Sequence, residues 1–313
     1  MSGKWLSSVA FVFALFLLLS CQQVTQLGRS PVKQLPIAEI HTGTQGVVMN
    51  FVDGAPPAEV FEKNRFEIAI EVENKGASNA EGVYVFGVPT DVISVDQVVF
   101  DSFKLEGKSP FAPVGERKRF VLVATAGELL EEHFPATITA NICYQYSTKV
   151  TQVICIKPET ALRRETREIC TPQAKGLSGG QGGPVAVVSI DKPLMSPTRD
   201  QNAVVPVITL RVQNVGSGVV VDKGRFSELC GGRAGEGQDL LNVVKIDAKL
   251  SEKPLTCKPD VLKLAEDSSV TCRLSDADAI SLESGTYEGL LEVQLDYGYV
   301  EQKSKNIVIK KIL

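Results

Sequence analysis

Only two histidines occur in this 313-residue chain, His41 and His133. Imidazole is the usual base beside a serine or cysteine nucleophile and the usual nitrogen ligand of zinc, so most such sites are excluded at the outset. His41 precedes a strand-like run and His133 lies in a glutamate-rich connection, and both read as surface residues. The one Gly-x-Ser-x-Gly match, at 176–180, lies in a glycine-rich run followed by Pro184 and a β-run, without the strand–turn–helix context of a nucleophile elbow. Asp276, Asp278 and Glu283 can offer oxygen ligands to calcium, but EF-hand spacing is absent and 275–284 reads as a polar connection. The glycine runs 176–183 and 231–237 lack the lysine and the strand–helix context of a phosphate loop. The first reads as a flexible linker, the second as an exposed loop. Arg163, Arg164 and Arg167 are interleaved with Glu159, Glu165 and Glu168, the pattern of a solvated helix face. We therefore expect no catalytic residue, no metal and no cofactor, and a protein that is not an enzyme.

Sulfur is the remaining chemistry. Cys143, Cys155, Cys170, Cys230, Cys257 and Cys272 form an even set, with no CxxC pair and no histidine close by. In an exported chain that favours disulfides over free thiols or zinc. Cys257 and Cys272 flank a short strand–turn–strand segment and are expected to pair. Cys143 and Cys155 face each other if the chain turns near Lys149, which leaves Cys170 for Cys230. The rival pairing joins Cys155 to Cys170.

Cys21 stands apart from that set. Lys4 is followed by the uncharged run WLSSVAFVFALFLLL at 5–19, then Ser20, Cys21 and the polar Gln22-Gln23. This is the charged–apolar–small layout of a secretory signal, and the run is short for a membrane span of about 20 residues. The ending Leu18-Leu19-Ser20-Cys21 resembles a prokaryotic lipobox, in which the cysteine is lipidated and becomes the first mature residue. An uncleaved signal anchor is the other reading. Either one holds the chain to the cell membrane at its N-terminus, facing the exterior.

The elements that position these residues follow from periodicity. Hydrophobic residues make up 43% of the chain, enough for each half to bury a core. A polar stretch at 22–36 reads as a tether. Residues 65–74 (RFEIAIEVEN) place Phe66, Ile68, Ile70 and Val72 on one face and Glu67, Glu71 and Glu73 on the other, which is a half-buried antiparallel strand. Further strands are expected at 47–52, 83–86, 92–100, 118–124, 135–147 and 150–156. The second half repeats the theme with strands at 185–190 and 204–214. Ile68, Ile70 and Val72 fall on Ile208, Leu210 and Val212 at one constant offset, and Asn74-Lys75-Gly76 falls on Asn214-Val215-Gly216. Asn-x-Gly suits a strand reversal, because asparagine caps the turn and glycine tolerates positive φ. Closing hairpins are expected around Tyr144 and Tyr146, and again around Tyr297 and Tyr299. The layout is therefore all-β, with two tandem immunoglobulin-like β-sandwich domains at 37–157 and 184–313. They follow an N-terminal signal or anchor helix at 1–21 and are joined by a connection at 158–183.

The alternating strand followed by Asn-x-Gly resembles the adhesion-related, CARDB-type immunoglobulin-like modules of microbial envelopes. The ordered set His41-Thr-Gly-Thr-Gln-Gly-Val-Val-Met-Asn-Phe51, Pro56-Pro57, Asn74-Lys-Gly76, Cys143-Tyr-Gln-Tyr-Ser-Thr148 and Gly179-Gly-Gln-Gly-Gly-Pro184 is similar to a group of archaeal surface lipoproteins. The resemblance implies tandem sandwiches at the cell surface and carries over no catalytic residue. The net charge of −4 and the lack of a basic run argue against a nucleic-acid partner. The expected function is a non-catalytic structural or adhesion-type binding module of the envelope, with a protein or polysaccharide partner. The alternative is a substrate- or partner-presenting subunit of a larger membrane complex.

Overall fold

Alternating apolar residues build the first half. After one helical turn, α1 (Ile37–Ile40), come β1 (Val47–Phe51), β2 (Glu59–Phe61), β3 (Arg65–Asn74) and β4 (Ala80–Gly87). β5 (Ile93–Val95), β6 (Phe100–Leu105), β7 (Arg117–Ala126) and β8 (His133–Ile156) complete it. These elements belong to a computed structural model that describes residues 36–95, 99–158, 169–200, 202–230, 238–264, 268–282 and 284–312. On β3, Phe66, Ile68, Ile70 and Val72 are buried as the pattern predicts, each stabilising by about 1.5–3 kcal/mol on leaving water. On its other face Glu67 pairs with Arg119, and Glu71 and Glu73 pair with Arg117, both arginines on the antiparallel neighbour β7. The expected strand at 92–100 is instead two strands. β5 pairs with β7 and β6 with β4, in different sheets, so the chain crosses between layers here.

The second half runs β9 (Lys175–Gly176), β10 (Val185–Ile190), β11 (Leu194–Pro197), β12 (Ala203–Asn214) and β13 (Val219–Val221). β14 (Val243–Leu250), β15 (Lys253–Lys258), β16 (Val261–Lys263), β17 (Ser269–Leu274), β18 (Ile280–Ser281) and β19 (Tyr287–Lys310) follow. One sheet has the order β1-β3-β7-β5; the other runs β6-β4-β8-β19-β14-β15-β17-β12-β10-β9, with β11 and β18 also on β12, β2 and β13 on β19, and β16 on β14. The architecture is all-β, built from large antiparallel sheets, and agrees with a β-sandwich. Residues Leu35–Leu313 form one compact unit.

Two long strands hold that unit together. β8 and β19 are 24 residues each and pair antiparallel from His133↔Lys310 to Ile156↔Tyr287. At about 3.3 Å per residue the ribbon is roughly 80 Å long. The turn expected near Lys149, and with it the closing hairpin, is absent. Even-numbered residues stay on the buried face from Ala136 through Ile138, Ala140, Ile142, Tyr144 and Tyr146 to Val150, and again at Ile154 and Ile156. The polar Ser147-Thr148-Lys149 does not break that phase, because Thr148 is buried and its hydroxyl meets that of Tyr297 at 2.8 Å. On β19 the odd residues Leu291, Val293, Leu295, Tyr297 and Tyr299 hold the matching face. The end of β19 returns to the first half: it pairs parallel with β2, and Glu62 accepts backbone N–H bonds from Leu129 and Ile312.

The continuous ribbon also decides the disulfides. Cys143 and Cys155 lie on one unbroken strand, about 40 Å apart at strand rise, and cannot pair. The bonds are Cys143–Cys230, Cys155–Cys170 and Cys257–Cys272, with Cα separations of 5.5, 5.8 and 3.9 Å. Cys257–Cys272 is therefore as expected, on directly opposed residues of β15 and β17. The Cys143–Cys155 and Cys170–Cys230 assignments are corrected, and the rival Cys155–Cys170 bond is the one formed.

Candidate functional site

Four tyrosines meet at the middle of the ribbon. Tyr144 opposes Tyr299 and Tyr146 opposes Tyr297, with ring centroids 5.8 and 6.1 Å apart. Their hydroxyls serve the two Asn-x-Gly turns in the same way. Ser78 N–H donates to Tyr146 at 3.1 Å, and Gly218 N–H donates to Tyr299 at 2.7 Å. Asn74 Nδ2 donates to Ser78 O, and Asn214 Nδ2 to Gly218 O, both at 2.8 Å. Asn74 Oδ1 accepts from Gly76 N–H, and Asn214 Oδ1 from Gly216 N–H. Val47 N–H donates to Tyr144 and Val185 N–H to Tyr297. The sequence repeat is thus a repeat of hydrogen bonding. The glycines are needed for a reason other than positive φ, which neither Gly76 nor Gly216 adopts. A Cβ on Gly76 would collide with the Tyr146 hydroxyl, and one on Gly216 with the Tyr299 hydroxyl.

Burial pushes the Tyr144 and Tyr297 hydroxyls well above the usual tyrosine pKa, raises Tyr146, and lifts Tyr299 to about 12. They stay protonated and act as structural donors and acceptors, not as nucleophiles. The glycine-rich run expected to be a flexible linker is laced into this centre. Gly43 N–H donates to Gly179 O, Ala77 N–H and the Tyr146 hydroxyl donate to Gly182 O, and Val215 N–H donates to Pro184 O. Gln181 is buried and bonds both backbone groups of Val187. Gly179, Gly180 and Gly182 have positive φ, so here glycine supplies conformation and close approach together.

The halves differ in two elaborations. In the first, β4 runs unbroken beside β8. In the second, β13 and β14 flank β19 in the equivalent places, and residues 222–242 are inserted between them. Cys230 ties that insertion to Cys143 of β8. Lys223 binds Asp296 at 2.7 Å, and Ser147 hydrogen-bonds the same carboxylate. This Ser–Lys–Asp grouping was not visible in the sequence, because its members come from three distant segments. Partial burial opposes ionisation of Asp296, but hydrogen bonds from Lys223, Ser147 and Gln294 outweigh it and hold the carboxyl below its usual range. A carboxylate so held is a clamp and a poor base.

The other elaboration makes a cleft. Residues 106–116 join β6 to β7, whereas only 264–268 join β16 to β17 at the corresponding place. The longer loop is stapled at its base: Glu106 and Glu116 exchange backbone and side-chain bonds, Gly107 N–H donates to Asn79, and Lys108 N–H donates to Gly76 O. Gly115 passes so close that a Cβ would strike Asn74 O. Ser109 and Ala112 close the tip, which leaves Phe111 73% and Val114 65% exposed. Between this loop and the turn at 43–45 lies an open cleft of about 420 Å³, lined by Thr44, Gln45, Glu73, Lys75, Lys108, Pro113 and Val114 among others. Lys75 and Lys108 are half-buried, and among the described residues neither has a carboxylate partner, while Glu73 is held by Arg117.

The remaining sequence candidates are dispersed. His133 is exposed at the start of β8. His41 is half-buried rather than on the surface, and its Nδ1 is enclosed without a hydrogen-bond partner. Asp276 is bound by Arg273, and Asp278 by Ser275 and Lys253. Among the described residues no group of acids, histidines and cysteines is arranged to hold a metal, and no helix is long and apolar enough to cross a membrane. The signal segment with Cys21, the arginines 163, 164 and 167, the glycine loop 231–237 and Glu283 lie outside the described residues.

No family model matches the chain, and no curated protein matches it. Among solved structures it is similar to a red sea bream transglutaminase, with 9% identity and a TM-score of 0.20. The match covers 86% of this chain and 31% of that one, so the chain spans less than a third of that protein's length.

Proposed function

We propose that this chain is a non-catalytic binding module of the cell envelope, anchored at Cys21, which presents the 106–116 loop and its cleft on a rigid two-sandwich body. In this reading 37–157 and 184–313 are the two immunoglobulin-like sandwiches, fused through the β8–β19 ribbon, and 22–36 is the tether. The observation that carries it is the stapled loop: a rigid frame holds Phe111 and Val114 out in water beside an open cleft. Exposed apolar side chains on a preorganised loop are a contact surface, because little ordering cost is left for binding. The three disulfides support an oxidising, extracytoplasmic location.

A photocrosslinking side chain at 111 tests the binding claim on intact envelopes. It should capture a partner, whereas the same group at the comparably exposed Leu194 should not. Equal capture at both sites, or none at 111, would remove the claim. Intact-mass measurement of the native protein tests the anchor: a lipid-bearing species starting at Cys21 is expected, and an unmodified chain retaining residues 1–20 would leave only the signal-anchor reading.

A further inference from the structure

The cleft carries a more specific reading, which rests on the binding function above. Its volume of about 420 Å³ falls in the ~300–1,000 Å³ range of small-ligand sites. A protein face needs ~800 Å² per partner, far more than this cleft and one loop tip supply. Its lining is mixed. Thr44 and Gln45 offer a hydroxyl and an amide, Pro113 and Val114 offer apolar surface, and Phe111 projects from the same loop just before Pro113.

The charge in the cleft is the deciding feature. Lys104 and Lys118, nearby in sequence, are paired with Glu81 and Glu116. Lys75 and Lys108 line the cleft, half-buried, with no carboxylate partner among the described residues. They are held side by side, because Lys108 N–H donates to the carbonyl of Gly76, the residue after Lys75. The one carboxylate of the lining, Glu73, is bound at 3.1 Å by Arg117, which also meets Glu71, so with Lys75 and Lys108 the group keeps one positive charge in excess. The protein as a whole has a charge of −4, so this local excess of positive charge runs against the average. Partly buried lysines without a carboxylate partner present positive charge that an anion can neutralise. The second half lacks the counterpart, since Val215 occupies the place of Lys75.

We propose that the cleft between the 43–45 turn and the 106–116 loop binds an acidic saccharide. Lys75 and Lys108 take its carboxylates, Thr44 and Gln45 take ring hydroxyls, and Phe111 packs on the C–H face of a pyranose. One or two sugar rings fill the space, so the natural ligand is a segment of an acidic polysaccharide.

The test is calorimetric titration of the full mature chain with trigalacturonic acid and, separately, with the neutral galactotriose. The acidic trimer should bind and the neutral one should bind at least about tenfold more weakly. Lys75→Gln with Lys108→Gln should cut acidic binding about tenfold or more, and added salt should do the same. Lys104→Gln, outside the cleft, should leave it unchanged. Phe111→Ala should weaken binding without removing its salt dependence. Equal binding of the two trimers, no binding of either, or acidic binding insensitive to the double substitution would overturn the assignment. If crosslinking from 111 still captures a partner while the acidic trimer fails, the ligand class is wrong and the binding function stands. If both fail, the binding function falls with it.

Discussion

Asn74 and Asn214 make the same turn bonds in different surroundings, so replacing each by alanine measures what burial adds. Asn74 is 0% exposed and its Nδ2 also reaches Leu105 O at 3.3 Å, whereas Asn214 is exposed. Asn74→Ala leaves Gly76 N–H, Ser78 O and Leu105 O short of a partner, in a site closed by Tyr146 and by the 106–116 loop. A buried orphan costs about 1–3 kcal/mol, and carbonyls suffer less because each keeps a second lone pair, so a total of about 3–5 kcal/mol is expected. At Asn214 water takes over both groups and the loss is that of ordinary net hydrogen bonds, about 0.5–1.5 kcal/mol. Urea denaturation of the oxidised protein, read as the shift in midpoint at unchanged slope, separates the two values. Asn74→Asp is expected to cost no less than alanine, since it sets a carboxylate against two carbonyls. Equal losses at 74 and 214, or a larger loss at 214, would refute the claim that the buried, more fully bonded site carries the higher cost.

Three further outcomes are expected. Cys143 and Cys230 are 87 residues apart and Cys257 and Cys272 only 15, so chain entropy gives about 4.5 against about 3 kcal/mol; the double alanine variant of the first pair should melt lower. Gly183→Ala would drive a Cβ into Thr148 Oγ1 and to 2.9 Å from the Tyr297 hydroxyl, and should cost about 2–4 kcal/mol by chemical denaturation, with a neutral result counting against the packed centre. Burial, and then the charge of Lys149, lowers the His41 pKa. As pH falls through about 6.5 the unfolded chain takes up the proton first, so His41 contributes stability above that pH and loses it below. His41→Gln should flatten the fall in denaturation midpoint between about pH 7.5 and about pH 5.5, and an unchanged slope would exclude the effect.

Local alternation was readable wherever one face of a strand is buried and the other wet. β3 and β10 have the bounds that their patterns predict, and the Asn-x-Gly repeat marks a true structural repeat. Long-range pairing was not readable. Ser147-Thr148-Lys149 looks like a turn because its residues are polar, and only the partner strand reveals that Thr148 is satisfied by Tyr297. From that one misreading the Cys143–Cys155 assignment follows. The glycine run misled for a related reason: glycine signals freedom in a sequence, but the same absence of a side chain lets the backbone enter a crowded centre. The cleft had no signature at all. Lys75 and Lys108 are ordinary surface lysines in the sequence, and only folding places them together.

The β8–β19 ribbon limits how far the two halves can move against each other. The ribbon is paired along its full length, so bending one half against the other means breaking strand pairing at the tyrosine centre. There the cross-strand rings are in contact, and the 179–184 run bonds backbone groups of both halves at once. Cys143–Cys230 adds a covalent tie between β8 and the insertion of the second half. Small residues at a joint usually mark a hinge; here they let the backbone pack closely against both halves. The two halves differ most in surface connections, at 106–116 and at 222–242. The Asn-x-Gly turn with its tyrosine hydroxyl recurs in both halves, while among the described residues the cleft-forming loop is found in the first alone.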